Sequence, residues 1–265
     1  MSDPISNFRI DKLKVEVYAD RRSTGRNAAV VVRDRIVKLL SGQESVRIIF
    51  AAGPSQNEFL EELSLVKGVA WTRVVAFHMD EYVGLKRNSK ELWGSYMKER
   101  LFGKLDFKKV HYLDPEPQDP EEECKRYAAL MEESPIDIVC LGIGENGHIA
   151  FNDPGVADFN DPETMKIVNL DEICRQQQVH DGCFASVEQV PRQAMTVTVP
   201  PMLSANFLSI VVPGPAKAKA VLDTLKGEIT TSCPASILRR HKDAVLFLDV
   251  QSAAEVMRQG IATHH

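Results

Sequence analysis

No two cysteines stand in a CxxC arrangement, and the five present (Cys124, Cys140, Cys174, Cys183, Cys233) are odd in number and widely spaced. That pattern argues against a disulfide framework and against zinc-type ligand spacing, and it fits a reducing compartment. Long apolar runs are absent as well. No stretch approaches the length of a membrane span, and the opening MSDPISNFRIDKLKVEVYAD lacks the apolar core of a signal peptide. A cytoplasmic protein without a membrane partner is expected. No basic stripe offsets the formal charge of −5, so nucleic acid is not the expected partner. Internal repeats, low-complexity tracts and Gly/Ser linkers are also missing. The closing His264–His265 are set aside.

What is present is an ordinary globular composition. Of 265 residues, 44% are hydrophobic and 26% charged, enough for one core that needs no disulfide or metal to hold it. Short apolar runs at Val46–Ala51, Val74–His78, Ile136–Leu141, Ala194–Val199, Phe207–Val212 and Ala244–Asp249 lack polar alternation, as strands covered on both faces do. Helical periodicity runs over Thr24–Leu40, Gln56–Leu65, Ser89–Phe102, Pro120–Glu133 and Ala216–Leu225, with Ser89 and Asp119 as N-caps for two of them. Strands alternating with helices predict an α/β fold, a doubly wound, mostly parallel, Rossmann-like sheet with helices on both faces, in a single domain. Residues 155–192 are the least regular stretch and read as a lid or a small subdomain.

In an open parallel sheet, ligands bind beyond the carboxyl ends of the strands. Four strand-like runs lead into polar segments, three of them glycine-bearing: Gly53-Pro54-Ser55-Gln56, Met79-Asp80-Glu81-Tyr82, Gly142 to Pro154, and Pro213-Gly214-Pro215-Ala216-Lys217. All four fall at the same predicted edge. Within the third, Gly142, Gly144 and Gly147 permit close backbone approach. Their Gly-x-Gly-x-x-Gly spacing is a weak dinucleotide signal, because it lies halfway along the chain and runs into Gly-His-Ile-Ala-Phe-Asn-Asp-Pro instead of a smooth amphipathic helix.

His148 precedes Asp153 by five residues, and a carboxylate that fixes an imidazole tautomer is a common acid/base arrangement. The two residues equally suit a loop-stabilising histidine and a turn cap. Asp80 and Glu81 read either as a solvated pair or as the source of a general base with a pKa raised by burial. Adjacent strand residues point to opposite faces, so the pair does not suggest a metal site. Lys217 and Ser55, each near a predicted helix start, are candidate phosphate ligands, although a surface lysine and a plain N-cap have the same pattern.

With Phe77 to Leu85 and Leu141 to Pro154 in view, the chain resembles the glucosamine-6-phosphate deaminase/isomerase family, from about Lys14 to Asp249. Two motifs carry the resemblance: Met-Asp-Glu-Tyr-x-Gly, and Gly-x-Gly-x-x-Gly-His-Ile-Ala-Phe-Asn-acid-Pro. The related 6-phosphogluconolactonases usually read Gly-Asp-Glu-Arg and Gly-His-Thr-Ala-Ser-Leu-Phe instead. The resemblance implies that Asp80 moves a proton between carbons 2 and 1 of an amino sugar phosphate. It also implies that His148, supported by Asp153 and Asn146, opens the sugar ring. No cofactor and no metal are required for such proton shuttling. Gly53, Ser55, Gly147, Lys166, Arg175 and Lys217 are the expected substrate-binding positions, the partner is a small-molecule sugar phosphate, and a homo-oligomer is possible.

The chain departs from the family pattern at several points. Asn146 stands where many members have aspartate, and Asp153 where glutamate is usual. Gly53-Pro54-Ser55-Gln56 replaces Gly-Gly-Thr-Pro, losing one backbone N–H. Residues 155–163 are acidic and arginine-free, where relatives place serine, arginine and lysine. These departures imply retained reaction chemistry with a remodelled substrate pocket. Lactone hydrolysis and binding without turnover are the alternative readings.

Overall fold

The computed structural model describes residues 2–260; His264–His265 lie outside them. Eight strands form the main sheet, in the order β1 (Ser6–Ile10), β2 (Leu13–Tyr18), β11 (Ala244–Asp249), β10 (Phe207–Val212), β7 (Ile138–Leu141), β3 (Val46–Phe50), β4 (Val74–His78) and β6 (Lys109–His111). All neighbours are parallel except the hairpin β1–β2 at one edge. A strand's side chains alternate between faces, and the central strands accordingly feed two cores. Ile49, Val139, Leu141, Leu208, Ile210, Leu246 and Leu248 face one. Ile48, Phe50, Ile138, Cys140, Phe207, Val211, Val245 and Phe247 face the other. Burial on both faces explains the unbroken apolar runs read from the sequence.

Helices α1 (Arg21–Leu40), α2 (Asn57–Leu65), α4 (Pro120–Glu132) and α7 (Ala218–Lys226) follow the predicted segments to within a few residues. Asp119 caps α4 through its side chain, accepting from the Glu121 and Glu122 N–H groups. The expected helix from Ser89 is much shorter. Only α3 (Trp93–Met97) and a π-turn over 98–102 form, and Leu92 is the N-cap. The amides of Trp93 and Gly94 that open α3 bond the buried Glu81 carboxylate, which fixes the helix start there instead of at Ser89.

The run at 194–199 does not join the main sheet. As β9 (Gln193–Val197) it lies between β5 (Asp80–Tyr82) and β8 (Met165–Asn169) in a separate antiparallel sheet. Residues 155–192, expected to be irregular, hold β8 and α5 (Glu172–His180). The second sheet matters because β4 ends at His78 and β5 begins at Asp80. The chain therefore crosses from one sheet to the other at Met79, where the first acidic motif lies. Among the described residues no helix is long and apolar enough to cross a membrane.

Candidate active site

One cleft of about 540 Å³, counting its open mouth, lies over the carboxyl ends of β3, β4, β7 and β10. Its lining includes Gly53, Ser55, Asp80, Gly144, His148 and Lys217. Five of the ten residues expected from sequence thus share one space, and they arrive from four strand ends, Gly53 and Ser55 both following β3.

Asp80 owes its position to the crossing between sheets. Its backbone pairs with Thr196 of β9, while its carbonyl meets Nδ1 of the fully buried His78 at 3.0 Å. Nε2 of the same ring accepts the Leu113 N–H at 3.0 Å, so Nδ1 carries the proton and donates to Asp80. Burial pushes the His78 pKa down to about 4 and keeps the ring neutral. His78 is a positioning residue that the sequence presented only as the end of a strand.

The adjacent acids separate as alternation requires. Glu81 turns away from the cleft and accepts backbone N–H bonds from Tyr82 (2.9 Å), Trp93 (3.1 Å) and Gly94 (2.8 Å). Asp80 turns into the cleft, and its carboxylate accepts no hydrogen bond among the described residues. Burial, with the neighbouring Glu81 charge added, pushes the Asp80 carboxyl up to about 8. Burial also raises Glu81, but its three N–H donors work against the rise. Asp80 is thus the acid that holds its proton more tightly, and once ionised it is a poorly solvated base.

His148 sits on the loop after β7, with Nδ1 2.9 Å from Oδ1 of Asp153. The ring nitrogen is poorly aligned for a straight hydrogen bond, and the two groups form an ion pair only when the imidazole carries a second proton. Asp153 is 1% exposed. Its burial works to raise its pKa, but the His148 contact, the Asn146 amide and the Asp171 N–H outweigh that and hold the carboxyl low. Gly144 is the floor beneath the imidazole, because a Cβ there would lie 2.2 Å from ring atoms of His148.

Asn146 takes no part in the lining, yet its side chain ties the His148 backbone to Asp153 and Asp171. Its amide nitrogen donates to Asp153 and to Asp171, each at 2.9 Å, and its Oδ1 accepts the His148 N–H at 3.0 Å. An aspartate here would set three carboxylates against one another, so the asparagine is matched to Asp171, which also caps α5. Asn146→Asp is therefore expected to destabilise the fold by about 1–3 kcal/mol, the usual penalty for a lost buried donor, as read by urea denaturation. Cys174, which sequence reasoning missed, brings its thiol to the same place. His148, Asp153 and Cys174 offer ligand atoms within 4.8 Å of one another, the one such group of three among the described residues. Burial first, and then the neighbouring carboxylates, push the thiol well up, so it is a neutral group against Asp153.

The other end of the cleft is built from two matching turns. Gly53 and Gly214 both have positive φ (113° and 94°), both precede a proline, and both cap short 3-10 turns that continue into α2 and α7 without a side-chain cap. Proline at the first helical position removes an N–H that has no helical partner anyway, so the cradle loses little by Pro54. Gly142 lies beneath this end, where an added Cβ would meet Gln56 at 2.9 Å and Ser55 at 3.6 Å. Lys217 is 5% exposed, and its ammonium makes no hydrogen bond or ion pair among the described residues, although its backbone N–H donates to the Gly214 carbonyl; burial lowers its pKa.

Three expected binding residues are placed elsewhere. Lys166 bonds Asp161 (2.7 Å) and the Val156 carbonyl (2.8 Å), because β8 lies in the second sheet. The Arg175 guanidinium, buried in α5, holds the Val187 and Val190 carbonyls and Glu172. Gly147 shapes the loop, donating to the Gly144 carbonyl and accepting from Ala235. In their stead the cleft gains Gln177, Gln178 and Asp181 from α5 and its C-cap.

Known proteins resemble this chain in sequence and in fold. The family model described as glucosamine-6-phosphate isomerases/6-phosphogluconolactonase matches residues 19–247. Glucosamine-6-phosphate deaminase of Bacillus cereus (strain B4264) is 36% identical over 230 residues, 87% of this chain and 85% of that protein. A solved monomeric glucosamine-6-phosphate deaminase of the NagB superfamily superposes with a TM-score of 0.84 at 28% identity, covering 91% of this chain and 99% of that one. A 6-phosphogluconolactonase from Thermotoga maritima shares the fold with a TM-score of 0.72 at 20% identity, over 90% and 100% of the two chains.

Proposed function

The chain belongs to the glucosamine-6-phosphate isomerase/6-phosphogluconolactonase family, and from that premise we propose that it is an amino sugar phosphate isomerase/deaminase acting on glucosamine 6-phosphate or a close analogue. The observation that carries the proposal is the sharing of one cleft by an unbonded, desolvated Asp80 carboxylate and the His148–Asp153 pair.

His148, its charge balanced by Asp153, transfers the proton that opens the sugar ring and frees the aldehyde. Asp80 then removes the proton from carbon 2 and returns it to carbon 1, giving a ketimine. Water adds at carbon 2 and ammonia leaves, so aldose amine and water become ketose phosphate and ammonia. Every step is a proton transfer or an addition to carbon, and none calls for a redox group. Ser55 and the first-turn amides beside Gly53 and Gly214 face the substrate's far end together with Lys217. Both family motifs side with the deaminases over the lactonases, which would release acid and no ammonia.

Incubation with glucosamine 6-phosphate, following ammonia and ketose phosphate together, tests the proposal. Stoichiometric release of the two is expected. Thermal stabilisation by the sugar without either product would overturn it in favour of a binding protein. Lys217→Met should raise KM for the phosphorylated sugar tenfold or more, by roughly the 1.5–3 kcal/mol of a charge-assisted bond, with kcat little changed. Its Tm should hold or rise, because a buried and unpartnered ammonium is removed.

A further inference from the structure

The far end of the cleft is electrically unlike a site made for a dianion. One cation, Lys217, lines it, and a second, Arg21, stands behind its turns. Lys217 is unpartnered, and Arg21 donates to the Pro54 carbonyl and lies against the Gly214 turn. Glu58 holds the Arg21 guanidinium through two bonds of 2.8 and 2.9 Å. Asp181, the C-cap of α5, lines the same cleft. Its carboxylate favours the charged form of Lys217 more than any other group does, opposing the burial that disfavours it. Arg21 is thus neutralised by Glu58, and Lys217 shares its cleft with the Asp181 carboxylate, before any ligand arrives. A phosphate monoester brings about −1.5 to −2 more, into a space where Lys217 is almost wholly buried.

We infer that Asp181 is a specificity-determining residue that lowers the cleft's affinity for a phosphate dianion and lets amino sugars with an uncharged hydroxyl at that end compete. The role rests on the deaminase reading of the cleft. The same helix supplies hydrogen-bonding partners for hydroxyls. The Gln177 Nε2 lies 3.3 Å from Asp181, its Oε1 accepts the Glu145 N–H, and Gln178 reaches the cleft beside it. Asp181 makes no other side-chain bond among the described residues, so its replacement leaves the fold's hydrogen bonding nearly intact.

The test compares the wild type with Asp181→Asn and Asp181→Ser. Ammonia release is measured on glucosamine 6-phosphate and on glucosamine, and inorganic phosphate binding is measured by calorimetry without sugar. Removing the repelling charge should lower KM for the phosphorylated sugar and the phosphate Kd about tenfold each. The change should fall on KM, not kcat, and shift the kcat/KM ratio toward the phosphorylated sugar by a similar factor. Unchanged phosphate affinity and an unchanged substrate ratio in both variants would overturn the inference, even with ammonia released normally. Tighter phosphate binding with no ammonia from any form would instead sink the deaminase reading, and with it the substrate preference, and leave only the effect of Asp181 on phosphate affinity.

Discussion

Asp80→Asn should lose activity by ~10²–10⁴-fold, the usual consequence of removing a general base, and at the same time gain stability. Asparagine keeps the shape and the backbone pairing with Thr196, so KM for the sugar should change little while kcat collapses. The stability gain follows from linkage. A carboxyl whose folded pKa lies above its ordinary one takes up a proton on folding, so the wild type loses stability as pH rises from the ordinary carboxylate range toward about 8, and the loss levels off above. Asparagine has no such dependence. The Tm advantage of the variant should therefore be absent at low pH and grow across that window. In the wild type, activity should rise with pH on a limb well above an ordinary carboxylate, as Asp80 becomes able to accept a proton. A variant that keeps full turnover, or an activity limb near pH 4, would remove Asp80 from the mechanism. Glu81→Gln separates the two acids. Glu81 ties Tyr82, Trp93 and Gly94, so its loss should lower Tm first and activity only through the fold.

Gly144→Ala should inactivate the enzyme almost as fully as His148→Gln, although no functional atom is removed. The added methyl carbon would stand 2.2 to 2.4 Å from the imidazole ring, far inside van der Waals contact, and the Gly144 φ itself suits alanine. The ring must leave its place against Asp153 for the methyl group to fit. The two single variants should each lose about 10²-fold or more in kcat/KM, and the double variant should be no worse than either, since both act on one group. Additive losses would show that Gly144 acts through the substrate or the backbone and not through the histidine. Steady-state ammonia release on the four proteins decides it.

The legibility of the site depended on which contacts are local. Gly142 to Asp153 lie within one loop, so spacing made Asp153 a candidate partner for His148, although it suited a loop-stabilising histidine and a turn cap equally well. Asp80 was legible because a strand end carries it and parallel sheets bring their strand ends to one edge. Lys166 and Arg175 misled for the converse reason. Their charge is written in the sequence, but their surroundings are not. β8 turned Lys166 toward Asp161, and the carbonyls of Val187 and Val190 took Arg175. His78, Arg21, Cys174 and Asp181 gave no signal at all, because a strand terminus, a helix start, a lone thiol and a helix C-cap look alike wherever they occur.

The sequence by itself determined the layered α/β architecture, since apolar runs covered on both sides have no other stable home, and it determined the contact of His148 with Asp153 within a single loop. Only the tertiary structure decided which neighbour of an adjacent acid pair faces the ligand and why asparagine suits position 146. It also placed the carboxylate that caps α5 in the same cleft as the buried lysine. Each of these is a matter of charge and hydrogen bonding between segments far apart in the chain, and such energies depend on distances that only the folded chain sets.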